Sequence, residues 1–303
     1  MNSETARLHN GSITIQLGHS PDPDDAFMWW PLFELQGRPP VLDTAPFRFL
    51  PVMQDIQTLN ERSLGADLEI TALSMHQYPH VAQQYQLTAC GASMGEKYGP
   101  KLVAREQLSP RDLRDTGRVI AVPGLQTTAF LVLSLLLGPG TFKAEPMPFE
   151  TIIDAVASGR CDAGVIIHEG QLTFAHAGLV ELADLGRWWY EKHQLPLPLG
   201  GNAIRRDLES IHGPGTLKRI TALLEKSIRY AGQHRQQGLE YALGYARDMT
   251  VEQVDRFVEM YVNDLTIDPG EQGLRAIQTL LREAAQAGLS PDPGEVVLLR
   301  AGG

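Results

Sequence analysis

Apolar residues alternate with polar ones at Ile13, Ile15 and Leu17, a period of two that predicts an opening strand ending at Gly18. Short apolar runs recur at residues 47–50, 68–73, 86–90, 101–104, 119–122, 143–148, 164–167, 179–183 and 203–205, and each is read as a strand. Between them the pattern turns helical. Ser20-Pro21-Asp22-Pro23-Asp24-Asp25 precedes the apolar run 26–33, the mark of a helix that starts where a strand ends. Residues 55–62 predict a short helix carrying Asn60, and the third strand delivers Ser74 to the same sheet edge. A helix after Ser74 would set His76 and His80 at i, i+4. Residues 129–137 are apolar almost throughout, 149–158 are amphipathic and 188–193 aromatic. Proline and glycine crowd the stretch Leu195-Pro196-Leu197-Pro198-Leu199-Gly200-Gly201-Asn202, which predicts a stiff, jointed crossover in extended form. From residue 216 the period is helical at 216–234, 239–246, 251–261 and 270–287.

This order places a compact βαβ insert, residues 102–197, inside a larger unit made of 1–101 and 198–303. A chain that leaves a domain and returns through two extended crossovers predicts an α/β protein of two hinged lobes with a cleft between them. The stretch from Ser20 to Asp25, together with Ser74, would line the cleft from the first lobe. Thr127, Thr128, His168 and Glu169 would line it from the second.

Composition narrows the partner. The 303 residues are 43% apolar and 20% charged, enough for two domains without covalent staples. A formal net charge of −10 argues against a polyanion such as nucleic acid. Only Cys90 and Cys161 are present, with no CxxC, so two free thiols are expected rather than a bridge. The segment 1–12 is polar, and the longest apolar run, 129–137, falls short of the ~18 residues that span a bilayer, so a cytoplasmic, soluble chain without a membrane partner is expected. It is expected to act on a small molecule as a monomer or homodimer.

The chemistry centres on His168. Gly164 to Ile167 reads as a strand buried on both faces, and His168 and Glu169 follow its carboxyl end, where open α/β sheets bind ligands. An imidazole there can take a proton near neutral pH; the plainer alternative is a histidine that only bonds a backbone carbonyl. Thr127 and Thr128 open the apolar helix, whose free N–H groups and positive dipole end suit a carboxylate; simple N-capping is the alternative. His76 and His80 lack a third metal ligand, and Pro79 interrupts their turn, so no metal is expected. Gly91-Ala92-Ser93-Met94-Gly95 matches GxSxG, but a nucleophile elbow needs a helix straight after the serine, and Glu96-Lys97-Tyr98-Gly99-Pro100 follows instead. Ser93 is expected in a different environment from His168, against a serine-hydrolase pairing.

One ordered set of motifs resembles a known family. Ala121-Val122-Pro123-Gly124, Thr127-Thr128-Ala129, Ile166-Ile167-His168-Glu169, Asp184-Leu185-Gly186 with Trp188-Trp189, the Leu195 to Gly200 stretch and Tyr261-Val262-Asn263 together resemble the 1,4-dihydroxy-6-naphthoate synthases of the futalosine route to menaquinone, over about residues 17–287. The resemblance implies a lyase without a cofactor, in the two-lobed fold of type II periplasmic solute-binding proteins, acting on cyclic de-hypoxanthine futalosine. It implies His168 as the base and places ligand contacts on Ser74, Thr128, Ala129 and Asn60. With Ser20, Asp24, Asp25, Thr127 and Glu169 from the cleft walls, the neighbours Ala72, Leu73 and Ile167 complete the expected substrate-binding set. The same fold is shared by the related chorismate dehydratases and by solute-binding proteins, so a relative that binds or transforms another carboxylate-bearing metabolite is the alternative. Two departures stand out. The family usually carries Ser-Pro-Cys-Pro-Asn-Asp-Thr-Phe where this chain has Ser20 to Phe27 with Asp22, Asp24 and Ala26, and it usually has a lysine where Ala72 stands. A cleft that loses a cation and gains carboxyls should hold an anion less firmly unless helix-start N–H groups compensate.

Overall fold

The computed structural model describes residues 12–114, 117–168, 170–246 and 249–302; Glu169 and the polar segment up to residue 11 lie outside the described residues. The strands are β1 (Ile13–His19), β2 (Phe47–Met53), β3 (Ile70–Ser74), β4 (Tyr85–Leu87), β5 (Ser93–Gly95), β6 (Lys101–Ala104), β7 (Val119–Val122), β8 (Lys143–Pro146), β9 (Ala163–Ile166), β10 (Val180–Asp184) and β11 (Leu197–Arg205). They form two sheets, one ordered β2-β1-β3-β11-β4 with β5 also paired to β11, the other β10-β6-β9-β7-β8. In the first, β1 runs parallel to β2 and β3, while β11 is antiparallel to β3, β4 and β5. In the second, β7 is parallel to β8 and β9, and β6 is antiparallel to β9 and β10. The chain therefore leaves the first sheet after β5, builds the second from β6 to β10, and re-enters the first as β11. The protein is α/β with two lobes.

The helix Thr128–Leu137 anchors the second lobe. Thr127 caps its start, Gly138 with φ +98 ends it, and Ser134 returns its hydroxyl to the Phe130 carbonyl at 2.9 Å, so the one polar side chain inside the apolar run is satisfied. Leu131, Val132, Leu133 and Leu137 share a core with Ile120, Val122 and Val165 of the second sheet and with Ile277, Leu280 and Leu281 of the helix Gly270–Gln286. Each fully buried leucine contributes about 1.5–3 kcal/mol. The helix Gly270–Gln286 also packs on β11, so one apolar cluster ties both lobes.

Two expectations are corrected. The stretch from Leu195 to Asn202 is no free crossover: from Leu197 on it is part of β11, a strand of nine residues in the middle of the first sheet. Proline is tolerated because Pro198 meets only β5, where the register shifts between Pro198 and Gly200. Gly200 is required for close approach, since a Cβ there would lie 2.9 Å from the Leu73 carbonyl oxygen. His76 sits in the turn before the short helix Tyr78–Val81, its Nε2 3.1 Å from the Leu289 carbonyl oxygen, so it shares no helix face with His80. Among the described residues no group of three or more His, Cys, Asp or Glu side chains could hold a metal ion, and no helix is long and apolar enough to cross a membrane. Cys90 and Cys161 are buried free thiols.

Candidate active site

Three chain turns from different strand ends converge between the lobes. β1 ends at His19, and Ser20 to Asp22 turn the chain into the helix Pro23–Trp29, with Pro23 preset for the first helical position. Asp22 holds the N-cap position with extended backbone (φ −127, ψ 163), yet its side chain makes no capping bond. Its Oδ2 lies instead 2.9 Å from Nδ1 of His168 on the other lobe. Asp25 turns back, its Oδ2 accepting the Ser20 N–H at 2.7 Å.

β9 supplies the opposite wall. It ends at Ile166, and two residues later His168 adopts φ +51, a left-handed conformation that histidine visits only occasionally. The ring packs 4.7 Å from that of Phe149 and is 17% exposed. β3 delivers Ser74, whose backbone N–H donates to Asn60 Oδ1 and whose Oγ accepts from Asn60 Nδ2, both at 2.9 Å. Asn60 is fully buried behind Ser74, a bracket rather than part of the wall. Its Nδ2 also reaches the Gln126 carbonyl at 3.4 Å, joining the two lobes.

Thr127 and Thr128 have their hydroxyls occupied. Thr127 Oγ accepts from the Phe130 N–H at 3.2 Å and donates to the Gly124 carbonyl at 2.7 Å. Thr128 Oγ donates to the Leu199 carbonyl at 2.5 Å and accepts from the His76 N–H at 3.3 Å. What this helix start offers a guest is its leading backbone N–H groups, which have no partner inside the helix, and its dipole.

The lobes touch on both flanks. Gln171 Nε2 donates to Tyr261 Oη at 3.0 Å, and the side chains of Gln57 and Gln126 are hydrogen-bonded, with the Gln126 N–H donating to Gln57 Oε1 at 3.2 Å. Gly124, at φ +146, permits this approach: a Cβ there would fall 2.1 Å from Gln57 Oε1. The cleft between the lobes measures about 130 Å³. Ser20, Asp24, Asp25, Ala72, Leu73 and Ser74 line it with Asp22 from one side, and Thr127, Thr128, Ala129, Ile167 and His168 from the other. Ser93, expected elsewhere, lines the same cavity, but on β5 and not at a strand-to-helix elbow.

Sequence reasoning missed Gln171, Tyr261 and Asn202, which also line the cavity. Tyr261 continues the buried face of Val254, Phe257 and Val258 and so reads as core. Asn202 follows two glycines inside a strand; its Nδ2 donates to the Gly91 carbonyl at 3.1 Å, and its buried Oδ1 has no hydrogen-bond partner among the described residues.

The carboxyls do not act as three charges. Burial pushes Asp22 upward, but the charge and hydrogen bond of His168, with smaller help from Asp24 and His19, outweigh it and hold this carboxyl below its ordinary value. Burial and the charges of Asp22 and Asp25 raise Asp24 well above the carboxylate range, and its hydrogen bond to Asp22 adds to this. Asp25 is pushed up to about 8, mainly by burial and then by the charge of Asp22. Asp22 therefore carries the negative charge of this wall while Asp24 and Asp25 are shifted toward the protonated acid, so the three carboxyls repel an anion less than three free carboxylates would.

A sequence profile described as menaquinone biosynthesis matches residues 15–286. The chain is 37% identical over 280 residues to a 1,4-dihydroxy-6-naphthoate synthase of Thermus thermophilus, covering 92% of this chain and 97% of that protein. A crystal structure of an Archaeoglobus fulgidus protein, 39% identical, is similar with a TM-score of 0.81 over 93% of this chain and all of that one. A Candida albicans protein with the generic periplasmic-binding-protein fold is 12% identical and matches with a TM-score of 0.64 over 93% of this chain and 92% of its own, a likeness of fold alone.

Proposed function

The chain belongs to the menaquinone-biosynthesis family, and from that premise we propose that it is a lyase converting cyclic de-hypoxanthine futalosine to 1,4-dihydroxy-6-naphthoate, with His168 as general base. The observation that carries this reading is the imidazole of His168 lining a cavity closed by both lobes, with Nδ1 fixed 2.9 Å from Asp22. His168 removes a proton from a carbon of the substrate. The electron pair left behind forms a new ring double bond as the carbon–carbon bond to the sugar-derived fragment breaks, the fragment leaves with that bonding pair and takes up a proton, and aromatisation of the naphthoate drives the cleavage. The substrate carboxylate sits at the start of the helix Thr128–Leu137, on its leading N–H groups, with Ser74 beside it. Ser74 Oγ accepts from Asn60 and so keeps its own proton to donate. Asp24 and Asp25, both shifted toward the protonated acid by burial, add donors where free carboxylates would repel. Closure of the lobes keeps water from the intermediates.

The test is to mix the purified protein with cyclic de-hypoxanthine futalosine and follow the naphthoate by absorbance and mass. Release of 1,4-dihydroxy-6-naphthoate is the expected result. Binding without product would move the assignment to a relative that takes a different carboxylate-bearing metabolite.

A further inference from the structure

Asp22 stands where an aspartate ordinarily caps its own helix by accepting the second or third N–H. It makes no such bond, and only 7% of its side chain is exposed. The carboxylate faces the other lobe and meets His168 Nδ1 at 2.9 Å. An ionised carboxylate can only accept, so the hydrogen resides on Nδ1 and the lone pair on Nε2. We propose that Asp22 is the positioning residue of His168, fixing its tautomer and ring direction, and that closing the lobes is what completes the base. The proposal rests on reading His168 as that base.

Three features support it. The two residues belong to different lobes, one after β1 and the other after β9, so the pair forms only when the walls meet. The bonds of Gln171 to Tyr261 and of Gln126 to Gln57 also cross between the lobes, so the same approach forms all three. The left-handed backbone of His168 and the Phe149 ring at 4.7 Å restrict the imidazole from its own lobe, and Asp22 Oδ2 meets its Nδ1 from the other. Among the described residues, the titratable groups that act on Asp22 and its neighbours include His19 from β1, Asp24 and Asp25 from the helix Pro23–Trp29, and Tyr261, which interacts with Asp24. Burial lowers His19, with its bond to the Ser20 carbonyl and the charge of Asp22 opposing. Asp22 is thus the anion that meets the imidazolium formed when the base takes its proton.

Asp22→Asn preserves shape and tests the role. The expected result is a fall in kcat of about 100-fold or more with KM changed less than about threefold, as for loss of a group that orients an imidazole. The acid limb of the kcat–pH profile should move to lower pH, because the imidazolium loses its counter-charge. Asp22→Glu should recover at least about tenfold over the asparagine variant. Independently of turnover, the Nδ1 proton of His168 should give a downfield proton resonance that vanishes in Asp22→Asn. A kcat within about twofold of wild type and an unmoved acid limb, with His168→Ala inactive, would overturn the proposal while leaving the base in place. Full activity of His168→Ala would instead remove the base, and the proposal with it.

Discussion

Two helices begin at the cleft and use their N-cap residues in opposite ways. Thr127 closes on its own helix, holding the Phe130 N–H at 3.2 Å, and so builds a self-capped end at which Thr127, Thr128 and Ala129 line the cavity. Asp22 leaves its helix without a side-chain cap and reaches across to His168. The helix of Thr127 lies in the apolar core, and its end can serve passively through backbone and dipole. The helix of Asp22 runs seven residues, with Phe27, Met28 and Trp29 buried, and that packing frees the side chain at its start for the other lobe. A cap signature in a sequence thus marks where a helix begins; the partner across the fold decides what the side chain does.

The sharpest way to break this contrast is at the end of the Asp22 contact. His168→Ala should lower turnover at least about 10³-fold while ligand affinity stays near wild type and the melting temperature falls, because buried Asp22 loses its partner, checked by the naphthoate assay, calorimetric titration and thermal unfolding. Near-normal activity would reduce Asp22 to an ordinary interlobe contact.

A second measurement concerns the acids behind Asp22. Asp25 titrates at about 8 in the folded chain against an ordinary 3.8, so between these values the folded state binds more protons than the unfolded one. Stability therefore falls as pH rises through that window, by a few kcal/mol in all, with Asp24 acting in the same direction. Asp22 works oppositely, its contribution being lost only as the solution becomes strongly acidic. Urea unfolding from pH 5 to pH 8.5 should show the decline, and Asp25→Asn should flatten it; a rising curve would contradict two protonated acids at the wall.

At the other helix start, Thr128→Val should destabilise the protein by about 1–3 kcal/mol in urea, because the Leu199 carbonyl and His76 N–H lose a shared partner. Ligand affinity should change less than about threefold if the anion rests on backbone N–H groups. A large loss of affinity with unchanged stability would give the hydroxyl back to the substrate. The smallest effect is expected for Thr127→Ala, about 1 kcal/mol of stability from the lost cap and no change in pH profile.

Much of the architecture was legible because burial imposes a pattern on short segments. β6, β7 and the helix Val251–Tyr261 fall where apolar spacing puts them. The two-lobed order follows from where strands give way to proline-rich passages, although β11 hides in such a passage because its proline falls at an irregular pairing. The convergence of Ser74, Thr128 and His168 follows from strand ends and helix starts. What local pattern does not carry is pairing over long separations. Tyr261 looks like core from its own helix, and only the fold brings it to Gln171. Asp22 looks like a cap until His168 arrives from the other lobe. Asn60 is expected among the contacts, but its complete burial depends on how the helix Ile56–Ser63 packs behind β3.

The pairing of β5 with β11 bears on how the cavity is reached. Leu197 lies opposite Gly95 in that ladder, so the outgoing and returning passages of the chain spring from adjacent points in one sheet. Two tethers rooted side by side bend together easily but resist being slid or rotated past each other, since that would shear the hydrogen bonds at their base. Access to the interior should accordingly resemble a book opening along its spine, with the mouth widening first on the edge farthest from these roots.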